Sequence, residues 1–287
     1  MESWKSAFRA NLFDGKVAIV TGGGTGLGLA ITEELCSLGC TVIIGARKLE
    51  RCEEAAQKLN SEGHPGTVVP YAMDLRDEAS VNNLMKFVVE RFGKIDFLVN
   101  NAGGQFLKSA EEISANGFRA VVDTNLTGTF LACHAAYHAW MKDHGGAIVN
   151  IIMSMRNGFP MMAHSGAARA GVENLTRSLA LEWVNAGVRL NCVSPGIIYT
   201  ESGFANYGPV AEKLLPQLMK AIPAKRLGTP QETAGAAVFL LSPAAAYITG
   251  TTVDVDGGLG MSYLPLVRIK NKNRLGVYGT LPPKAKL

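Results

Sequence analysis

The sequence predicts an α/β protein built as one doubly wound domain around a parallel sheet of seven strands. Three observations predict it. Apolar runs of strand length alternate with helix-periodic segments along most of the 287 residues. The first of those runs feeds directly into a glycine-rich turn, TGGGTGLG at 21–28. The chain is 47% hydrophobic and 18% charged, which suits a single large core. Strands separated by helices pair in parallel through right-handed crossovers, so helices cover both faces of the sheet. With a glycine turn behind the first strand, this is a Rossmann-type domain.

The elements follow in order. KVAIV (16–20) precedes a helix over 26–38. TVIIG (41–45) precedes a charged helix over 48–60, and VVPYAMDL (68–75) one over 78–92. IDFLVNNAG (95–103) leads into a long helical region near 115–142, and AIVNII (147–152) into a helix over 163–183. VRLNCVSPG (188–196) and TTVDVDGG (251–258) complete seven strands. Residues 200–225 break the rhythm and read as a mobile loop or lid. The expected organisation is an N-terminal extension at 1–14, a catalytic domain at 15–260 and a basic tail at 261–287.

Composition excludes several classes. The 28 basic and 24 acidic residues leave a net charge of +4, with no block of like charge. No basic stripe interleaves with aromatics, so no nucleic-acid partner is expected. The apolar stretch TAGAAVFLLSPAAAYITG is made of small residues and broken by Pro243, which predicts a buried helix and turn rather than a membrane span. The five cysteines are odd in number and lack CxxC spacing, and MESWKSAFRANLFDGK has no apolar signal segment. Both point to a reducing compartment. His134 and His138 have metal-ligand spacing, but HAAYH lacks the acidic residue of HExxH and a third ligand, so no metal is expected.

The glycine turn carries the first chemistry. Gly22, Gly26 and Gly28 permit a tight turn, close approach of backbone to a pyrophosphate, and close helix packing. Thr21, Gly24, Thr25 and Leu27 complete the expected cofactor loop. An acidic residue ending the second strand would hold the ribose 2′-hydroxyl of NAD. Here that strand ends IIGARK, and Arg47 and Lys48 suit a 2′-phosphate instead. The cofactor expected is NADPH.

The second stretch with chemistry is AHSGAARAGVENLTRSLALEW (163–183). Ser165 and Arg169 lie four residues apart on one helix face, with only Gly166, Ala167 and Ala168 between them. One reading is a helix-capping serine with a solvated arginine. The other is a functional pair.

Four motifs in register, TGGGTGLG, NNAG (100–103), DTNLTG (123–128) and PGIIYT (195–200), resemble those of the short-chain dehydrogenases/reductases over residues 15–258. Within that family GGQF (103–106), FPMMAHSGAARAG (159–171) and the final AKL are similar to the peroxisomal trans-2-enoyl-CoA reductases, with the peroxisomal 2,4-dienoyl-CoA reductases as close cousins. The resemblance implies that Asp74 and Leu75 flank the adenine, and that Asn101, Ala102 and Gly103 line the adenosine ribose. It makes Asn125 the active-site asparagine that holds a helix bend and a water chain. Pro195, Gly196 and Ile198 would pass the nicotinamide carboxamide, and Thr200 the nicotinamide side or its phosphate. It also implies a homotetramer pairing the helices near 115–142 and 165–183. AKL resembles the tripeptide read by the peroxisomal import receptor.

Most members of that family carry Tyr-x-x-x-Lys where this chain has Ser165 and Arg169, and the usual catalytic serine position falls near Ile152. The standard acid for a ketone is therefore missing. Reduction of an enoyl thioester has a different demand, because charge builds as an enolate on the thioester oxygen and the proton goes later to the α-carbon. A serine hydroxyl can hydrogen-bond an enolate, and an arginine can hold the ribose and keep the site positive. Tyr199 is a candidate proton donor beside water. His164 is a weaker one, read first as a core or surface histidine, and Glu173 reads as a surface or interface carboxylate. The expectation is NADPH-dependent reduction of trans-2-enoyl-CoA, with an acyl-CoA as substrate. The alternatives are a 2,4-dienoyl-CoA reductase, whose resemblance carries lysine at the Arg169 position, and a nucleotide-binding protein that has lost catalysis.

Overall fold

The computed structural model describes residues 6–155, 158–201, 215–217, 219–261, 275–282 and 285. Seven parallel strands form one sheet in the order β3-β2-β1-β4-β5-β6-β7. They are β1 Val17–Thr21, β2 Thr41–Ala46, β3 Thr67–Ala72, β4 Phe97–Asn100, β5 Gly146–Ile151, β6 Val188–Pro195 and β7 Thr252–Val255. Every residue of β1 and β4 is buried, as a central parallel strand covered on both faces requires.

Helices α1 Gly26–Ser37, α2 Leu49–Ser61 and α3 Glu78–Phe92 connect the first four strands. The region expected as one long helix is interrupted. Helix α4 Ala115–Val122 runs into a π-turn at Asp123–Thr127, then α5 Gly128–Ala136, a second π-turn at Tyr137–Met141 and a short α6 Lys142–His144. Helix α7 spans Ala163–Trp183 and α8 Pro230–Leu241. The start of α8 is encoded locally. Thr229 accepts from the Glu232 backbone, Glu232 reaches back to the Thr229 N–H, and Pro230 opens the helix.

Two apolar clusters sandwich the sheet. Val20, Ile44, Leu35 and Leu240 lie on one side, and Ile19, Ile43, Leu84, Leu98 and Trp183 on the other. Phe13, from the segment expected as an extension, is 1% exposed and packs edge-on against Phe97, so the core begins before residue 15. From the expected tail, Tyr278 donates to Glu34 of α1 and accepts from the Ala7 backbone. Of the expected lid, residues 202–214 and 218 lie outside the described residues. Leu215, Met219 and Ile222 are buried in a small satellite cluster. No helix among the described residues is long and apolar enough to cross a membrane.

The connections after β1 and β2 step outward to β3, and the chain then returns to the other side of β1 as β4. The sheet therefore changes winding direction between β1 and β4. The carboxyl ends of the strands open a crevice there, where open α/β sheets bind their ligands.

Candidate active site

The glycine turn occupies the β1 side of that crevice. Gly22 and Gly26 have φ of +66° and +56°, which side chains tolerate poorly. A Cβ on Gly28 would lie 2.2 Å from the Gly22 carbonyl oxygen, so only glycine lets α1 pack onto the turn. Thr25 precedes α1 in extended conformation, and its side chain caps no helix N–H. The amide end of α1 is thus left open beside the glycine turn, a position suited to an anion. Gly24 backs against the Arg51 carbonyl, Leu27 is half-buried, and the Thr21 hydroxyl accepts from the Asn101 and Ala102 amides. Gly23 escaped sequence reasoning. It is buried, and a Cβ there would lie 2.4 Å from Ile44, which no local pattern reveals.

Arg47 and Lys48 stand exposed just beyond β2, with no acidic residue ending that strand. Beyond β3, Asp74 accepts from the Arg76 guanidinium at 2.7 Å, and that contact holds its carboxyl down at about 2. Leu75 is buried beneath Gly128, where a Cβ would touch its side chain. The Asn101 side chain donates to the Thr21 and Gly22 carbonyls, so it ties the end of β4 to the glycine turn. Pro195 ends β6. Gly196 donates to the Val255 carbonyl and lies so close to Asp256 that a Cβ would sit 2.7 Å from its Cα. Ile198 bridges to Gly228, and Thr200 lies half-buried just beyond it.

Between these two walls lies the centre. Ser165 is fully buried. Its hydroxyl donates to Gln105 Oε1 at 2.9 Å and accepts from Asn125 Nδ2 at 3.4 Å. The capping reading does not hold, because Met162 occupies the cap position and Ser165 lies inside the helix. Asn125 is aimed by the π-turn at 123–127. Its amide also clasps Gly104, accepting from the N–H at 2.8 Å and donating to the carbonyl at 3.1 Å. A π-turn inserts one residue and rotates a side chain off the helix line, a device frequent at functional sites.

Arg169 is not a solvated arginine either. It is 7% exposed and donates to the Ile151 carbonyl at 2.8 Å, and no carboxylate pairs with it among the described residues. Burial pulls its guanidinium down to about 10. Gly103 makes room for it, since a Cβ there would fall 2.0 Å from Arg169 Nη2. A buried cation without a carboxylate needs acceptors from elsewhere. Ribose hydroxyls are acceptors of the right kind, so the residues of this crevice fit a dinucleotide.

Tyr199 donates its backbone N–H to Gly228, and its ring packs with the Leu215–Ile222 cluster. Glu173 pairs with Arg177 and accepts from Thr252, away from the centre. Sequence spacing gives Gln105 no role in the site. Sixty residues separate it from Ser165, a contact only the fold creates.

A sequence profile for the family described as Enoyl-(Acyl carrier protein) reductase matches residues 22–260 of this chain. The chain belongs to the short-chain dehydrogenase/reductase family. A peroxisomal 2,4-dienoyl-CoA reductase of Rattus norvegicus is 39% identical over 265 residues, covering 91% of this chain and 89% of its own. A probable 2,4-dienoyl-CoA reductase of Bacillus subtilis is 37% identical, covering 87% of this chain and 98% of its own. Among solved structures, a citronellol catabolism dehydrogenase of Pseudomonas aeruginosa PAO1 is 41% identical with a TM-score of 0.79, covering 90% and 100% of the two chains. An actinorhodin polyketide ketoreductase with NADPH is 31% identical with a TM-score of 0.80, covering 88% and 99%. The chain is therefore an oxidoreductase of this family, and these two curated relatives are named for dienoyl rather than trans-2-enoyl substrates.

Proposed function

We propose that this short-chain reductase uses NADPH to reduce the 2,3 double bond of trans-2-enoyl-CoA thioesters. One observation carries the reading. The positions that hold tyrosine and lysine in most of the family hold Ser165 and Arg169, both buried, with the Ser165 hydroxyl between Asn125 and Gln105. NADPH, held along this crevice, would supply the hydride for the β-carbon. The chain's own task is then to stabilise negative charge on the thioester oxygen, for which a hydroxyl donor inside a dry, positively biased site is suited. Exchanging its Gln105 acceptor for that oxygen turns the Ser165 hydroxyl toward the reacting group. Arg169, charged and held on the Ile151 carbonyl, orients the ribose and keeps the local field positive. The α-carbon takes its proton from water or from Tyr199. Arg47 and Lys48 support the choice of the phosphorylated cofactor.

A second reading, reduction of 2,4-dienoyl-CoA, is favoured by the names of the relatives at 36–39% identity. Both substrates develop charge on the same thioester oxygen and differ in the length of conjugation. Following NADPH oxidation with trans-2-enoyl-CoA, 2,4-dienoyl-CoA and 3-ketoacyl-CoA side by side separates them. The reading expects the enoyl thioester to turn over fastest. Dominant turnover of the dienoyl thioester would transfer the assignment to the second reading, and turnover of the ketoacyl thioester alone would refute both. NADPH binding with no turnover would mark a protein that has lost catalysis. Peroxisomal residence is part of the proposal, supported by relatives named as peroxisomal. Of the AKL expectation, Lys286 and Leu287 lie outside the described residues. A homotetramer is likewise proposed, supported by exposed apolar side chains on the expected pairing helices, Phe118, Phe130 and Leu181.

A further inference from the structure

His164, one residue before Ser165, is fully buried. Its Nδ1 lies 2.8 Å from the Ser165 amide, which is the third amide of α7 and one of those a helix leaves open at its start. An amide can only donate, so Nδ1 is the acceptor and a neutral ring carries its proton on Nε2. That Nε2 is buried with no hydrogen-bond partner among the described residues. A buried donor without an acceptor is costly, and native proteins rarely keep one without a use.

The surroundings say what the use is. The rings of Phe106 and His164 stand perpendicular to one another, with centroids 4.2 Å apart. The neighbouring residue, Gln105, covers the Ser165 hydroxyl. The exposed segment Gln105–Phe106 thus lies against two adjacent residues of α7, its amide oxygen on the Ser165 hydroxyl and its aromatic ring on the His164 ring. Gln105 and Phe106 sit on the exposed loop after β4, behind Gly103 and Gly104, and the partner of the Ser165 hydroxyl is a carboxamide oxygen, a chemical likeness of a thioester carbonyl.

We propose that His164 is a second hydrogen-bond donor to the acyl thioester, its Nε2–H reached when substrate displaces the Gln105–Phe106 segment. This rests on the thioester-reductase reading and adds a residue to it. His164 supplies a fixed neutral donor and transfers no proton. The Ser165 amide keeps the ring in one tautomer, so the donor is pre-oriented before substrate arrives.

Two substitutions separate this from a structural role. Asparagine places its oxygen where Nδ1 stands, keeping the amide cap and withdrawing the distal donor. Glutamine reaches the distal position and gives up the cap. His164→Asn should therefore hold its melting temperature while kcat/KM for the enoyl thioester falls about tenfold. His164→Gln should melt lower yet keep most of its turnover, and NADPH affinity should change in neither. Activity that follows melting temperature instead would overturn the proposal. The direct measurement is 15N NMR of histidine-labelled protein, which has five histidines. The His164 Nε2 resonance should move when decanoyl-CoA joins the NADP+-loaded protein and stay in place with NADP+ alone. A response to NADP+ alone, or silence while calorimetry shows decanoyl-CoA bound, would overturn it. If decanoyl-CoA does not bind at all, the thioester-reductase reading fails first and this inference with it.

Discussion

Ser165, Arg169 and Arg47 divide the chemistry among single residues, and each can be tested alone. Ser165→Ala removes the hydroxyl between Asn125 and Gln105. Single-turnover reduction of the enoyl thioester should slow about ten- to a hundredfold, less than the loss of a rigid oxyanion donor elsewhere because water can enter the space. NADPH affinity should be unchanged, and full turnover would mean that Ser165 has no part in the reaction. Arg169 carries its charge inside the protein without a carboxylate partner among the described residues. Replacing it by an apolar side chain of similar length removes a desolvated charge, which offsets the loss of its hydrogen bond to the Ile151 carbonyl. Arg169→Met should keep its melting temperature and lose NADPH affinity, as titration by fluorescence would read, while Arg169→Lys should be milder. Arg47 is exposed and contributes only if a 2′-phosphate reaches it. Arg47→Ala should raise KM for NADPH by roughly tenfold or more, corresponding to about 1.5–3 kcal/mol for a charge-assisted contact, and leave KM for NADH alone. Equal effects on both cofactors would discard the phosphate assignment.

At the scale of elements, the ends of helices do the positioning. The capping box at Thr229–Glu232 starts α8, and Arg226 locks the same glutamate at 2.6 Å. Thr229→Ala should cost about 1 kcal/mol of stability, seen in denaturant unfolding, with no change in turnover. At α1 the opposite holds, since the helix begins without a side-chain cap and its amides are left open beside the glycine turn. The π-turn at 123–127 is the element that turns Asn125 toward Gly104 and Ser165. An uninterrupted helix over 115–142 would have directed that residue elsewhere, so the break is part of the site.

Across the whole molecule, a clasp joins segments far apart in sequence. Glu34 of α1 accepts from the Ser6 and Tyr278 hydroxyls through one oxygen, while its other oxygen is buried with no partner among the described residues. Burial raises its pKa above the ordinary glutamate value. A raised folded-state pKa means that the group favours folding below its unfolded pKa and that this contribution is lost as pH rises through the folded value. Glu34→Gln should therefore stabilise the protein at neutral pH, and the gain should vanish at acidic pH in paired melting curves. A gain independent of pH would mean that the carboxylate's charge is not the cause. The expected tetramer belongs to this scale as well, and a monomer in light scattering at micromolar concentration would remove it.

The alternation of apolar runs and helical segments determined the sheet, its parallel pairing and the location of the phosphate turn, because period and glycine geometry are local properties written in consecutive residues. The same holds for the absence of an acidic residue at the end of β2. What tertiary structure decided was the meaning of Ser165 and Arg169. By itself the pattern allowed a cap and a solvated guanidinium, and burial beneath Gln105, Gly103 and the Ile151 carbonyl removed both options. The break at Asn125 was equally hidden, since α- and π-turns share the same propensities. Gln105 and His164 gained their roles the same way. Whether a polar atom finds a partner depends on residues brought together from distant parts of the chain, and no local spacing encodes that pairing.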